Sequence, residues 1–429
     1  MPRASFHTLG CRLNQTESNL MAQSLKDIGY QIVPYQEGAE LCVINTCTVT
    51  GQSDQKSRQA IRSIQKANPE ALIAVVGCMS QMSGEEIMEI GGVDLVLGTG
   101  EKLNLASYVQ QLLAGAEPIV AVGPIDRGSF SIAAQGQHLV QTRANLKIQD
   151  GCDFVCSFCI IPQARGRSRS RKLDNLLTEA EALVEAGVKE IILTGVNLGE
   201  FNEGGIDFLQ LLDQFEALKL PRLRVSSIEP TTIQSEIFDR MKDPAHPLLP
   251  YLHLPLQAAN DRILSMMRRR YSFAEFASFI DHGVKQVPNL GLGTDLLTAF
   301  PGETPSEFQE GYERVKDLPL HYFHVFPYAK REGARSANLA GEIAPPEAAR
   351  RVELLRDLSD EKRLAFAQSQ VGKRLEVLVE ENGGGNLWQG YGENFLRVSL
   401  EDESPLNNQI HSVLIEGVSG NRAWGSRVK

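Results

Sequence analysis

No stretch of this 429-residue chain is long and apolar enough to span a membrane. Its start, Met-Pro-Arg-Ala-Ser-Phe-His, also lacks the apolar segment of an export signal. A cytoplasmic protein with no membrane partner is therefore expected, and without export its seven cysteines are not a disulfide framework. Metal or redox use is the expectation instead. A surplus of positive charge is missing too: 43 Lys and Arg stand against 53 Asp and Glu, a net of −10. Any grip on nucleic-acid phosphates must then come from a local patch. There is no internal repeat, and Gly383-Gly384-Gly385 is the one low-complexity spot. The rest is ordinary for a globular chain, with 42% hydrophobic and 22% charged residues and a length that suits two or three domains.

Against these absences stand three cysteines in one short loop: Cys152, Cys156 and Cys159 of Gly-Cys-Asp-Phe-Val-Cys-Ser-Phe-Cys. Three thiolates so spaced can wrap one corner of an iron–sulfur cube, which ordinarily takes four protein ligands. A cube held by three keeps one iron open to a small molecule. A zinc knuckle is the competing reading, and it wants a fourth Cys or His nearby. The nearest histidine, His138, lies outside the loop, and no further cysteine follows.

Three more cysteines, Cys11, Cys47 and Cys78, each end a short apolar run that reads as a buried strand. Helical patterns, about Thr16 to Ile28 and Gln52 to Ala67, separate them. Alternation of strand and helix implies a parallel sheet, whose ligand crevice lies at the carboxyl ends of the strands. All three cysteines are expected on that edge. The competing reading is three ordinary buried thiols, which is how Cys42, inside its strand, is read.

The chain divides into an amino-terminal α/β domain (1–115), a polar linker (116–141), a central block (142–366) and a tail (367–429). The central block opens with the strand Asn-Leu-Lys-Ile-Gln, which runs into the cysteine loop. Further strands are expected at Glu190–Thr194, Leu223–Ser227, Tyr251–Leu256, Leu290–Leu297 and His321–Phe326. Helical stretches lie between them, among them Asp174–Ala186, Phe273–Val287 and Pro305–Asp317. Six strands with crossover helices suit a partial (βα)6 barrel, with its chemistry on the loops that follow the strands. After a charged helix at about Pro345–Gln370 the pattern changes to period two. That predicts a small antiparallel β-barrel, a type that often binds nucleic acid. The tail carries six Lys and Arg against eight Asp and Glu. The most basic segment instead follows the cysteine loop: Gln-Ala-Arg-Gly-Arg-Ser-Arg-Ser-Arg-Lys, residues 163 to 172. An anionic ligand is favoured there. A second patch, Met-Met-Arg-Arg-Arg-Tyr at 266 to 271, reads equally well as a solvated face.

These motifs resemble the radical S-adenosylmethionine (SAM) methylthiotransferase family over essentially the full length. The resemblance rests on Leu-Gly-Cys-Arg-Leu-Asn-Gln at 9–15, Asn-Thr-Cys-Thr-Val-Thr at 45–50 and Val-Gly-Cys at 76–78. It extends to Gln-Asp-Gly-Cys, Cys-Ile-Ile-Pro and Ala-Arg-Gly-Arg-Ser-Arg-Ser-Arg in the core. The tail resembles a TRAM domain, and the residues around Cys11 and Cys47 are similar to the MtaB type.

The resemblance implies two [4Fe–4S] clusters, one on Cys152, Cys156 and Cys159 that binds and cleaves SAM, and one on Cys11, Cys47 and Cys78. Gly195, Asn197 and Asp295, which follow strands in the expected places, are the candidate SAM contacts, and Arg165, Arg167, Arg169 and Arg171 of the basic segment are the candidate contacts to the anticodon stem or its phosphates. The implied reaction adds a methylthio group to C2 of N6-threonylcarbamoyladenosine at tRNA position 37. One SAM serves as methyl donor and one as radical source. The anticodon stem-loop, an electron donor such as flavodoxin or ferredoxin, and a sulfur source are the implied partners. Relatives in the family act on isopentenyladenosine or on an aspartate of a ribosomal protein. A non-catalytic metal protein that binds RNA is the reading from another class.

Overall fold

The computed structural model describes residues 1–132 and 142–428. Its amino-terminal sheet comprises β1 (Arg3–Thr8), β2 (Gln31–Val33), β3 (Leu41–Thr46), β4 (Leu72–Gly77), β5 (Leu95–Leu97) and β6 (Ile119–Ala121). All six are parallel, in the order β2-β1-β3-β4-β5-β6. Alternation along β3 shows why the run is apolar throughout. Leu41 and Val43 pack on one face with Met21 and Leu25, whereas Cys42 and Ile44 pack on the other with Ile61 and Ile64. A sheet covered on both faces needs strands of this kind. Cys42 is therefore core, as read from the sequence.

Two expectations change here. The first helix, α1 (Arg12–Asp27), starts directly after Cys11 and not at Thr16. Polar Arg12 and Asn14 concealed its first turn. The segment expected as linker from 116 contributes β6, which pairs with β5, so the boundary at 115 falls within the last crossover of the sheet. Three residues, none of them fully buried, give too short a pattern to mark a strand. Farther on, the Phe130 amide donates to Ser170 O, which lays this segment along the core. Residues 133–141 of the expected linker lie outside the described residues.

The central block holds six parallel strands in two sheets of three. One contains Arg143–Lys147, Glu190–Thr194 and Arg222–Val225; the other contains Tyr251–His253, Gly291–Thr298 and Tyr322–Pro327. Bridges at Leu223–Leu248 and Ser227–His253 join them into one open, partial barrel. The helices Leu173–Glu185, Phe273–Gln286 and Pro305–Asp317 lie within two residues of expectation. Three of the block's helices carry clear start signals. Asp207, Ser272 and Thr304 each form a reciprocal capping box with a Gln or Glu three residues on.

The helix Pro345–Ser369 packs Val352, Leu355 and Leu358 into the central core and leads to the tail. The tail is a closed five-stranded barrel: Arg374–Gly384, Leu387–Gly392, Arg397–Glu401, Gln409–Ser419 and Arg422–Arg427. One of its pairings, Arg397–Glu401 with Arg422–Arg427, is parallel. The barrel docks on the amino-terminal ends of the core strands. Glu380 pairs with Arg143, and Arg222 and Arg224 donate to the carbonyls of Tyr391, Gly392 and Glu393. Part of the tail's acidity is thus spent on docking.

Candidate two-cluster active site

The topology sets Cys11, Cys47 and Cys78 at the carboxyl ends of β1, β3 and β4, three adjacent strands. Cys11 is the N-cap of α1 and Cys78 opens the helix Cys78–Met88. The positive ends of two helix dipoles therefore lie beside these sulfurs. Gly10 has φ +96°, and a Cβ there would stand 2.8 Å from the Cys47 sulfur. The approach of the first loop to Cys47 thus needs glycine. Asn14 ties the edge together, its Nδ2 donating to Leu9 O (2.8 Å) and Thr46 O (2.9 Å). Burial raises the Cys47 thiol above its ordinary pKa, and the facing sulfurs of Cys78 and Cys11 add to the rise.

The second triad lies in the loop after Gln149-Asp150. Burial raises all three of its thiols, Cys159 to about 12. Donors nonetheless surround the sulfurs. The Phe154 amide points at Cys152, the Ile161 amide at Cys159 and Arg269 Nη1 at Cys156, each at 3.4 Å. Such donors favour thiolate, the form in which cysteine binds metal, and a bound metal drives off the proton.

Among the described residues, no three of these sulfurs lie within 4.8 Å of one another. Thiolates on a single zinc, at ~2.3 Å from the ion, would be only ~3.8 Å apart. The wider spacing suits a multi-iron cube, whose ligands sit on different irons.

Between the triads lies a buried layer of charge. Glu17 accepts from Lys102 Nζ (2.6 Å), Lys147 Nζ (2.8 Å) and Arg165 (3.1 Å). Asp150, two residues before Cys152, accepts from Lys147 (2.7 Å), Arg165 (3.0 Å) and Arg169 (3.4 Å). Burial works against both carboxylates, but the cations outweigh it and hold their pKa values below the usual range. Four cations thus face two anions, and Arg165 also feels Cys78 and Cys11. A buried positive surplus calls for a further anion. A cluster held by thiolates is of that sign, so the surroundings fit the group.

This layer corrects the sequence reading. Arg165 and Arg171 cannot contact RNA, because both are buried: Arg165 binds Glu17, Asp150 and Asn14, and Arg171 pairs with Glu179. Arg169 is mostly covered and turned toward Asp150. Of the four, only Arg167 is well exposed. Three of the four arginines of this basic segment point inward, and a charge count does not distinguish the two sides.

Gly195 and Asn197 come together after the strand Glu190–Thr194, where Gln149 Oε1 accepts the amides of Val196 and Asn197 at 2.9 Å. A Cβ on Gly195 would meet that same oxygen at 2.9 Å. Asn197 Oδ1 accepts from Thr232, whereas its buried Nδ2 has no partner among the described residues. An orphaned donor beside the cysteine loop fits a ligand that brings an acceptor, as SAM does. Asp295 stands on the other sheet, between His253 Nε2 and His324 Nδ1, both at 3.1 Å. These contacts keep it ionised against burial.

Glu17, Lys102, Lys147, His253, His324 and Glu229, which pairs with Arg269, were not singled out from the sequence, and Asn14, Asp150 and Arg269 entered only as members of motifs or of a basic patch. A signal existed for several: Arg143, Asn145, Lys147 and Gln149 alternate, as do Tyr251 and His253, and Tyr322 and His324. Polar alternation in a strand of a βα barrel marks the lumen face.

The chain also matches known proteins. Residues 3–98 match the uncharacterized protein family UPF0004, and residues 146–315 match the radical SAM superfamily. The chain is 36% identical over 424 residues to the threonylcarbamoyladenosine tRNA methylthiotransferase MtaB of Bacillus subtilis (strain 168), covering 97% of this chain and 94% of that protein. It is 34% identical to the protein of the same name from Aquifex aeolicus (strain VF5), over 89% and 93%. It is 32% identical to the tRNA-2-methylthio-N(6)-dimethylallyladenosine synthase of Methylacidiphilum infernorum (isolate V4), over 89% and 84%. The radical SAM methyltransferase TsrM from Kitasatospora setae shares the fold, with a TM-score of 0.59 at 16% identity over 79% of this chain and 77% of that one. The chain belongs to the radical SAM methylthiotransferase family, as an enzyme of the MtaB type.

Proposed function

We propose that this enzyme adds a methylthio group to C2 of N6-threonylcarbamoyladenosine at tRNA position 37. The observation that carries the reading is the pair of cysteine triads joined through one buried cationic layer, in a chain with relatives named threonylcarbamoyladenosine tRNA methylthiotransferase. The C2–H of adenine is not acidic, so no side chain of ordinary pKa removes it as a base. When bound, two [4Fe–4S] clusters and SAM supply the electron, the radical, the sulfur and the methyl group that side chains lack.

The chain's own residues hold and orient. Cys152, Cys156 and Cys159 would hold the cluster that takes SAM, and Cys11, Cys47 and Cys78 the one that carries sulfur. Asn197 Nδ2 and the backbone at Gly195 line the SAM side, and Asp295 faces it from the opposite sheet. Lys102 and Arg165 offer positive charge to the cluster that Cys11, Cys47 and Cys78 would hold. The anticodon stem-loop reaches the lumen past exposed Arg167. A flavodoxin or ferredoxin type of donor and a separate sulfur source complete the cycle.

Nucleoside mass spectrometry of tRNA from a host with and without the gene tests this reading. 2-Methylthio-threonylcarbamoyladenosine is expected only with the gene. Methylthiolated isopentenyladenosine in its place would move the enzyme to another substrate. No change in a host that supplies both precursors would overturn the tRNA reading.

A further inference from the structure

A cleft of about 360 Å3 opens where the last core strand, the helix Pro345–Ser369 and the carboxyl-terminal barrel meet. Four arginines line it: Arg12, Arg363, Arg397 and Arg422. Among the described residues, no carboxylate does. Arg397 is engaged by Gln389 (2.7 Å) and more distantly by Glu381. The other three have no carboxylate partner among the described residues. Arg12 lies over the ring of Phe395, 5.7 Å from its centre, and Arg363 over that of Tyr322 at 5.4 Å. Guanidiniums poised on aromatic faces with nothing to neutralise them form a receptor for a planar anion, and a carboxylate matches the fork of Arg in two hydrogen bonds.

The cleft also leads to the candidate site. Arg12 directly follows Cys11, and His324, which lines the cleft, is bonded through Nδ1 to Asp295 in the lumen. A base placed at the cysteine edge would thus extend a substituent between core and tail.

We propose that this cleft reads the substituent on N6 of the substrate adenine, and that Arg12, Arg363 and Arg422 select an arm ending in a carboxylate. The proposal rests on the reading given under Proposed function and adds how the substrate is told from its isopentenylated counterpart. An apolar dimethylallyl arm offers no charge, so seating it here would desolvate guanidiniums without return. The cleft also gives the acidic tail a part in recognition: it contributes Arg397, Arg422, Tyr391 and Phe395.

The test uses the full chain with clusters in place, under anaerobic conditions. Binding is measured to three anticodon stem-loops, carrying adenosine, N6-threonylcarbamoyladenosine or the methyl ester of the latter. The wild type is expected to bind the acid at least tenfold more tightly than the ester. Arg363→Gln/Arg422→Gln is expected to bind acid and ester alike, with affinity for the adenosine RNA unchanged. Equal wild-type affinity for acid and ester would overturn the proposal. So would an equal loss on all three RNAs in the variant, which would mark the arginines as phosphate contacts. Should the double variant not fold, Arg422→Gln alone, at an exposed position, must narrow the acid-to-ester ratio or the proposal fails. Cells that form the methylthio-threonylcarbamoyl nucleoside while the ester arm shows no preference would remove only the cleft assignment. Cells that form methylthio-isopentenyladenosine would remove the underlying reading.

Discussion

Cys47→Ala is expected to abolish methylthio transfer while reductive cleavage of SAM to 5′-deoxyadenosine continues. Cys156→Ala is expected to abolish both. The separation follows from position. Cys47 ends β3 on one sheet, beside Cys11 and Cys78, whereas Cys156 sits in the loop after Gln149-Asp150 of the core, against Arg269. The two sets share the charged layer but no ligand. On the proposed reading, removing one thiolate takes away a ligand of one cluster only, and each cluster would supply a different part of the chemistry. Product and 5′-deoxyadenosine are quantified from the same anaerobic reaction. Loss of SAM cleavage in a correctly folded Cys47→Ala protein would show that the triads are not separate in function.

The second large effect is on folding. Glu17→Gln is expected to destabilise the protein by about 3–5 kcal/mol, the usual cost of removing one partner from a buried charge network. Here the cost is concentrated, because one carboxylate faces Lys102, Lys147 and Arg165, each almost fully buried. The pH dependence has a definite sign. The folded pKa of Glu17 is depressed, so its stabilisation is present above the unfolded value of about 4.3. It is lost as pH falls through the lower folded value. Thermal melts of wild type and variant should therefore differ most near neutral pH and converge on acidification. A variant as stable as wild type near neutral pH would mean that the layer contributes nothing net.

Local pattern made much of the fold legible. The capping boxes at Ser272 and Thr304 and the apolar runs before Cys11, Cys47 and Cys78 are short-range signals, and the helices and strands they announce stand close to where they were expected. The common edge of Cys11, Cys47 and Cys78 followed from the rule that parallel sheets present their strand ends together. What escaped depends on long-range contact. Glu17 meets Lys147 and Arg165 across 130 and 148 residues of sequence, and neither spacing nor composition announces such a meeting. The reading of the basic segment failed for the same reason. Arg165 and Arg171 carry the charge expected of an RNA contact, but their partners Glu17, Asp150 and Glu179 turn them inward. β6 was missed because three partly exposed residues at a sheet edge carry almost no periodicity.

The claim that these six cysteines hold two clusters is tested most directly by counting iron after anaerobic reconstitution. Wild type should hold about eight irons, and Cys152→Ala/Cys156→Ala/Cys159→Ala should keep about four. The reciprocal variant, Cys11→Ala/Cys47→Ala/Cys78→Ala, should also keep about four. A wild type that saturates near four irons, or a folded triple variant that keeps none, would contradict the two-cluster site.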